Sequence, residues 1–327
     1  MATLITGASG FVGLALAEHL LARGEHVMGY DLMPPPSRAL KAFAALPGRF
    51  DVFKGDVRDS ALLTDAVRSL DAERVVALAA ITADARRERM APQSIYDVNV
   101  GGALAAVSAA AACGVQRVLL GSSGAVYGAS GALSGPLDEV LTPLRPEGLY
   151  GMSKQTAELA ATRLAGLHGI ELAIGRLGTC FGPWEATTAV RDTLSAPLQV
   201  LALAREGRTV LLPRAGLRDW LYVRDAAAAL AALLDAPSLN APNATYNLAA
   251  GFEWSVAQWC AQVVVQRPGF DWRMATADEM PNVAYYAPYD RASMAIDRLR
   301  ADTAFAPRFD LVSAASDYLA WDAAGCA

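Results

Sequence analysis

The chain has 327 residues, 54% of them hydrophobic and 19% charged, with a formal net charge of −5. That balance supports a large buried core and excludes a disordered chain. Mild acidity without a Lys/Arg cluster argues against nucleic acid or an anionic membrane as the main partner. Cys113, Cys180, Cys260 and Cys326 are far apart, and His19, His26 and His168 form no HExxH pattern. No zinc site, disulfide framework or other metal site is therefore expected.

In chain order, Met1 leads into a strand at Thr3-Leu4-Ile5 with no basic or apolar leader ahead of it, and the expected compartment is the cytoplasm. A helix from about Phe11 to Ala22 follows, and Gly24 is a natural residue to close it. Strands are expected at His26 to Tyr30, Val52-Phe53, Val75 to Leu78, Arg117 to Leu120 and Leu172 to Ile174. Helices are expected from Asp59 to Leu70, from Gly101 to Cys113, and around Tyr150. The uncharged run from Val98 to Gln116 is long enough to imitate a membrane span. Its Ala and Gly content, Asn99, Ser108 and direct passage into a strand mark it as a buried helix instead.

Strands alternating with helices of this length imply βαβ units and a parallel sheet covered on both faces. After Arg176 the alternation stops, and Pro and Trp become more frequent. The expected division is 1–175 for the first domain and 176–327 for a smaller substrate domain. The helix at Asp225 to Leu234 and the strand at Tyr246 to Leu248 lie in a stretch, 218–249, that can return to the first domain.

Gly7, Gly10 and Gly13 stand between the first strand and the first helix, with Phe11 and Val12 inside the loop. Glycines here let the backbone approach a pyrophosphate at a helix N-terminus. Asp31 closes the second strand, where a carboxylate accepts from ribose hydroxyls and repels a 2′-phosphate; this favours NAD over NADP. Arg38, in a Pro-rich loop, is the one nearby residue that argues for NADP. Asp56 and Val57 follow the third strand, and Asp56 is placed to bond an adenine amine or simply to make a turn. Tyr150 and Lys154 are four apart, which stacks them on one helix face. The ammonium is expected to lower the phenol's pKa, making Tyr150 an acid/base near neutral pH.

Together these motifs resemble the extended short-chain dehydrogenase/reductase family, in its NAD-dependent epimerase/dehydratase branch. The resemblance also takes in Leu78-Ala79-Ala80, Asn99-Val100, Ser122 to Gly128, Arg176, Gly182-Pro183, Arg218-Asp219-Trp220 and Asp225, so it covers nearly the whole chain. It implies a doubly wound parallel sheet of Rossmann type with a smaller C-terminal α/β substrate domain. It implies NAD held by the Gly7 loop, Asp31, Asp56, Val57, Leu78, Ala79, Ala80, Asn99, Tyr150 and Lys154. Ser123 would bond the substrate oxygen, Tyr150 would act as acid/base, and Lys154 would hold the nicotinamide ribose. Asn99 would support the helix carrying this group, although alone it reads as a helix cap. Arg218 would grip a nucleotide-sugar diphosphate, or else pair with Asp219 or Asp225.

Departures narrow the chemistry. Dehydratases of this branch place Asp-Glu after the active-site hydroxyl; Gly124 and Ala125 stand there, so dehydration is disfavoured. Thr179 holds the place of an Asn usual in nucleotide-sugar enzymes, and Arg176 to Cys180 is similar to a segment of uronate dehydrogenases. The first expectation is a sugar-nucleotide epimerase. The alternative is a net dehydrogenase of a free sugar, sugar acid or related alcohol, and a non-catalytic NAD sensor is the third class. Small-residue faces at Ala103, Ala106 and Ala110, and at Ala157, Ala160 and Ala161, suggest a homodimer through a four-helix bundle, or packing on the sheet.

Overall fold

The structure, a computed structural model, describes residues 1–239, 243–285 and 287–326. The strands are β1 (Ala2–Thr6), β2 (His26–Asp31), β3 (Arg49–Lys54), β4 (Arg74–Ala77), β5 (Arg117–Ser123), β6 (Glu171–Leu177), β7 (Thr179–Phe181), β8 (Val210–Leu212), β9 (Leu217–Arg218), β10 (Trp220–Tyr222), β11 (Asn243–Leu248), β12 (Trp254–Ser255) and β13 (Trp272–Met274). The helices are α1 (Phe11–Ala22), α2 (Ser37–Phe43), α3 (Ser60–Leu70), α4 (Ala85–Met90), α5 (Pro92–Tyr96), α6 (Gly102–Ala112), α7 (Leu149–His168), α8 (Ala196–Arg205), α9 (Val223–Asp235), α10 (Val256–Gln266), α11 (Asp297–Thr303) and α12 (Leu311–Trp321).

Seven strands form one parallel sheet in the order β3-β2-β1-β4-β5-β6-β11. The direction of strand succession reverses between β1 and β4, which opens a crevice at the carboxyl ends of those two strands. Ile5 and Val76 face one core and Leu4 and Val75 the other, as a sheet covered on both sides requires. Leu14, Leu16 and Leu20 of α1 pack with Leu230, Leu233 and Leu234 of α9 over one face. Leu63 and Val67 of α3 and Ala106 and Ala110 of α6 pack over the other. Strand β11 joins the sheet beside β6, and α9 packs on α1, so this late stretch of chain completes the first layer system.

The run 92–112 is apolar and long enough to cross a membrane by composition. It is broken into α5, a π turn at Asp97–Gly101, and α6, and α6 is packed into the core beside the sheet. The small-residue faces expected to meet a second copy are used within the chain. Ala103, Ala106, Ala110, Ala157 and Ala161 are all buried in that same core, so these faces give the dimer no support.

The remaining elements gather around Phe181, whose ring is contacted by Trp220, Tyr222, Trp254, Trp259 and Tyr318. This aromatic cluster anchors β7 and β10 beside the end of β6 and fixes one wall of the crevice. Cys113, Cys180 and Cys260 are free thiols; the thiol of Cys326 lies outside the described side chains.

Candidate active site

The turn after β1 brings backbone against backbone. Gly7 has φ +70, and a Cβ on it would stand 2.7 Å from the backbone of Ala79. A Cβ on Gly13 would stand 2.2 Å from the Gly7 carbonyl oxygen. Both positions therefore require glycine, and the tight turn delivers the start of α1, capped by Gly10, to the crevice. Phe11 and Val12 open that helix, and Leu78, Ala79 and Ala80 line the other side of the turn after β4.

Asp31 faces this loop. Its Oδ2 accepts from the Ser9 amide at 3.0 Å. Burial raises its pKa, opposed by hydrogen bonds from the Ser9, Met33 and Leu32 amides. Arg38 does not point here. It lies on α2, not in a loop, and its guanidinium lies over the rings of Trp184 and Trp321, at 5.7 and 5.5 Å, which also touch each other edge to face. Asp56 is engaged by Arg58, with Nε 3.0 Å from each carboxylate oxygen, which lowers its pKa. Val57 is buried and packs on Gly102 of α6. The glycine cradle beside a recessed carboxylate is a fit for a dinucleotide.

Ser123 ends β5, and its Oγ accepts from the Ala125 amide at 3.1 Å. Tyr150 lies in the first turn of α7, and its phenol faces the side chains of Ser123 and Thr82, which act to lower its pKa. The expectation that Lys154 lowers the Tyr150 pKa is corrected here. Burial raises it, while the Ser123 bond, the Arg191 charge and the Thr82 bond oppose the rise. The Lys154 ammonium instead donates to the Gly121 carbonyl at 2.7 Å. Spacing of four put both residues on one helix, but the lysine stem leans along the sheet. Burial drives Lys154 down to about 8, opposed by Glu158 one turn further on.

Asn99 is a brace and not a cap. It sits in the π turn, donates to Ser153 Oγ at 2.9 Å and to the Ile81 carbonyl at 3.1 Å, and accepts from the Ile81 amide at 2.8 Å. Helix α7 has glycine at its N-cap and no side-chain cap of its own. Glu88 of α4 supplies one, accepting from the Leu149 amide at 2.6 Å.

A cavity of about 430 Å³ opens beside Tyr150 and Ser123 and extends to Thr179 and Arg218. Arg218 pairs with neither aspartate proposed for it. Asp219 accepts from the Ala250, Gly251 and Met294 amides, and Asp225 from the Arg308 and Phe309 amides. Among the described residues Arg218 keeps one long hydrogen bond, to Thr179 Oγ1 at 3.4 Å, and lies over the Trp220 ring at 5.8 Å. Burial pushes it down to about 10, helped by the positive charges of Arg291 and Arg214. Arg291 donates to the Gly124 carbonyl, and Arg214 is held by Asp290. This end of the cavity gathers three arginines, with Asp290 on Arg214 and the Glu147 charge acting on Arg291.

The sequence reading did not single out Thr82, Arg191, Arg214 or Arg291. All four lie on irregular segments that no periodicity marks. A weak signal existed only for Arg191, nine residues after Gly182.

With this geometry established, the family model described as "NAD dependent epimerase/dehydratase family" matches residues 3–249. The chain belongs to that family. Among curated relatives, UDP-glucose 4-epimerase of Streptomyces lividans is 27% identical over 236 residues, 69% of each chain. A probable UDP-glucuronate 4-epimerase of Rhizobium meliloti is 29% identical over 56% of this chain and 54% of its own length. The fold matches UDP-glucose 4-epimerase from Bifidobacterium longum, solved with NAD+ and UDP, with TM-score 0.82 over 99% of this chain and 98% of that one, at 19% identity. Members of this epimerase/dehydratase family are enzymes, and the doubly wound sheet expected from the alternating strands is present.

Proposed function

We propose that the protein is an NAD-dependent nucleotide-sugar epimerase, acting at the sugar carbinol carbon that lies beside Tyr150. The observation that carries this reading is Arg218: a recessed cation that makes no ion pair among the described residues, next to Arg291 and Arg214, at the far end of a cavity that begins at Tyr150. Such a cluster is the chemistry of a diphosphate site. The relatives named as 4-epimerases support the sugar C4 as the reacting carbon.

NAD, when bound, supplies a hydride acceptor that can return the hydride. The Gly7 turn, the α1 N-terminus and Asp31 would hold it, with Ala79 and Val57 against its flanks. Tyr150 takes the proton from the sugar hydroxyl, and Ser123 keeps that oxygen in place. Lys154, charged below about 8, keeps a positive charge beneath the site. Asn99 and Glu88 fix the first turn of α7 so that the Tyr150 oxygen meets the substrate. Bound NAD would supply the reversible hydride transfer that epimerisation needs, and Tyr150 gives the proton back to the sugar oxygen. Gly124 and Ala125 offer no acid or base for loss of water.

A second reading, net oxidation of a free sugar or sugar acid, is favoured by Thr179, which occupies the only hydrogen bond Arg218 makes among the described residues. Incubation with NAD and a panel of UDP-sugars and free uronic acids separates the two. Interconversion of UDP-sugars is expected; NADH formed in proportion to a free sugar acid would replace the first reading with the second.

A further inference from the structure

The chain has three lysines, Lys41, Lys54 and Lys154, and only Lys154 is buried. Its ammonium donates to the Gly121 carbonyl, a neutral partner that cannot balance its charge. The next residue of β5, Ser122, serves the same helix: its hydroxyl donates to Glu158 Oε1. Tyr150, Lys154 and Glu158 follow one another along α7 in steps of four, so they share one face of the helix. Glu158 is as buried as Lys154, and its charge acts on the ammonium from the next turn.

Glu158 is held on its other side by Arg176 of β6. Arg176 donates from Nε at 3.0 Å and from Nη2 at 2.8 Å, and both side chains are buried. Its Nη1 donates to the Tyr127 hydroxyl at 3.1 Å, and that hydroxyl donates to Asn247 Oδ1 at 2.8 Å. Ser122, Arg176 and Asn247 are register partners on β5, β6 and β11. Three neighbouring strands thus each place one buried polar residue in a single row beneath α7. A buried ion pair adds little stability over apolar residues of similar volume, so stability is a weak reason for this row. What the row achieves is a carboxylate fixed one turn from the buried ammonium of the site.

We propose that Glu158 is a positioning residue for the reaction: it keeps the Lys154 ammonium charged and in place, and the row of Ser122, Arg176 and Asn247 holds its carboxylate for that task. This role rests on the functions given to Tyr150 and Lys154 above. The titratable groups of the region are Tyr150 and Glu158 on the same helix, Arg176 from β6, and Tyr127 and Glu139 beyond it. Among these, the charge that acts on Lys154 is that of Glu158.

Three lysines make a direct test practical. The NAD-loaded protein, carrying lysine labelled with carbon-13 at Cε, is titrated by NMR, and the Lys154 resonance is the one missing from Lys154→Met. Wild type, Glu158→Gln and the double variant Glu158→Gln with Arg176→Met are compared. The double variant replaces the buried pair as a unit, the change such a pair tolerates best. In both variants the Lys154 midpoint should move to lower pH by about one unit or more, and the alkaline fall of the rate should move with it. An unmoved midpoint in a folded variant, with only stability lowered, makes Glu158 structural and overturns the proposal. If the single variant does not fold, the double variant decides by the same criterion. A midpoint that falls, in a protein whose wild type turns over no UDP-sugar, upholds the hold of Glu158 on Lys154 and overturns the function proposed above.

Discussion

The side-chain amide of Asn99 donates to Ser153 Oγ at 2.9 Å, and that hydroxyl in turn donates to the Tyr150 carbonyl at 2.8 Å. The π turn of one helix is thereby tied to the catalytic turn of another. Asn99 also closes two bonds with the Ile81 backbone, next to Thr82. One side chain thus sets the relative position of Tyr150 and the 81–82 strand end.

Asn99→Ala leaves the Ile81 amide and the Ser153 hydroxyl without their partner in a buried place. Stability should fall by about 2 kcal/mol, and kcat should fall by more than KM rises, because the loss is in the placement of Tyr150. Thermal unfolding and steady-state kinetics check this. A change in KM alone would place Asn99 in ligand binding.

Arg218→Met removes a recessed cation that makes no ion pair among the described residues. The melting temperature of the ligand-free protein should rise while affinity for UDP falls at least tenfold, an exchange of stability for function. Calorimetric titration with UDP and a thermal melt read both effects. A lower melting temperature with unchanged UDP affinity would make Arg218 structural.

The pH behaviour follows from two buried groups shifted in opposite directions. Tyr150 is raised, so alcohol oxidation should speed up as pH rises and the phenol ionises. Lys154 is lowered to about 8, so its positive charge fades above that pH and the rate should turn over. For stability the sign is also defined. The folded lysine loses its proton more easily than the unfolded one, so its burial cost is fully present below about 8 and relieved as pH climbs toward the ordinary lysine value of 10.5. Lys154→Met should remove that alkaline gain, as read from denaturant midpoints across the range.

Cofactor choice should depend on Asp31 and not on Arg38. Asp31→Ala should weaken NAD and narrow its advantage over NADP. Arg38→Ala should leave the ratio of the two affinities unchanged and lower stability, because its guanidinium packs over the rings of Trp184 and Trp321. Fluorescence titration with both dinucleotides distinguishes these outcomes.

Local signals made much of this architecture legible. Alternating apolar runs located β1 to β6, α1, α3 and α6, and the Gly7 turn announced itself because only glycine survives its backbone contacts with Ala79. Chemistry that depends on direction was harder to read. Spacing put Lys154 under Tyr150, but only packing shows that its ammonium turns to Gly121. Arg38, the one nearby residue that argued for NADP, lies instead over two tryptophans distant in sequence. Thr82, Arg191 and Arg291 lie in stretches without periodicity, and tertiary contacts alone, such as Arg87 with Asp192, bring them to the cavity.

The small-residue faces proposed for a dimer show a related limit: alanine spacing marks a close-packed helix without saying what packs on it. The outer surface of α7 instead exposes Met152, Leu159 and Leu167 at spacings of about two turns, with Leu159 69% exposed. If the protein is a homodimer, this stripe is its interface, and Leu159→Arg should yield monomers in sedimentation velocity. A dimer that survives Leu159→Arg would place the contact elsewhere.

The proposal that the sugar is epimerised, and not simply oxidised, is tested most directly by following the hydrogen on the reacting carbon. A UDP-sugar deuterated at C4 is incubated with the NAD-loaded enzyme, and product and cofactor are examined by mass spectrometry. The account predicts an epimer that retains deuterium at C4, with no build-up of NADH. Deuterium accumulating in released NADH, with an oxidised sugar as product, would contradict it.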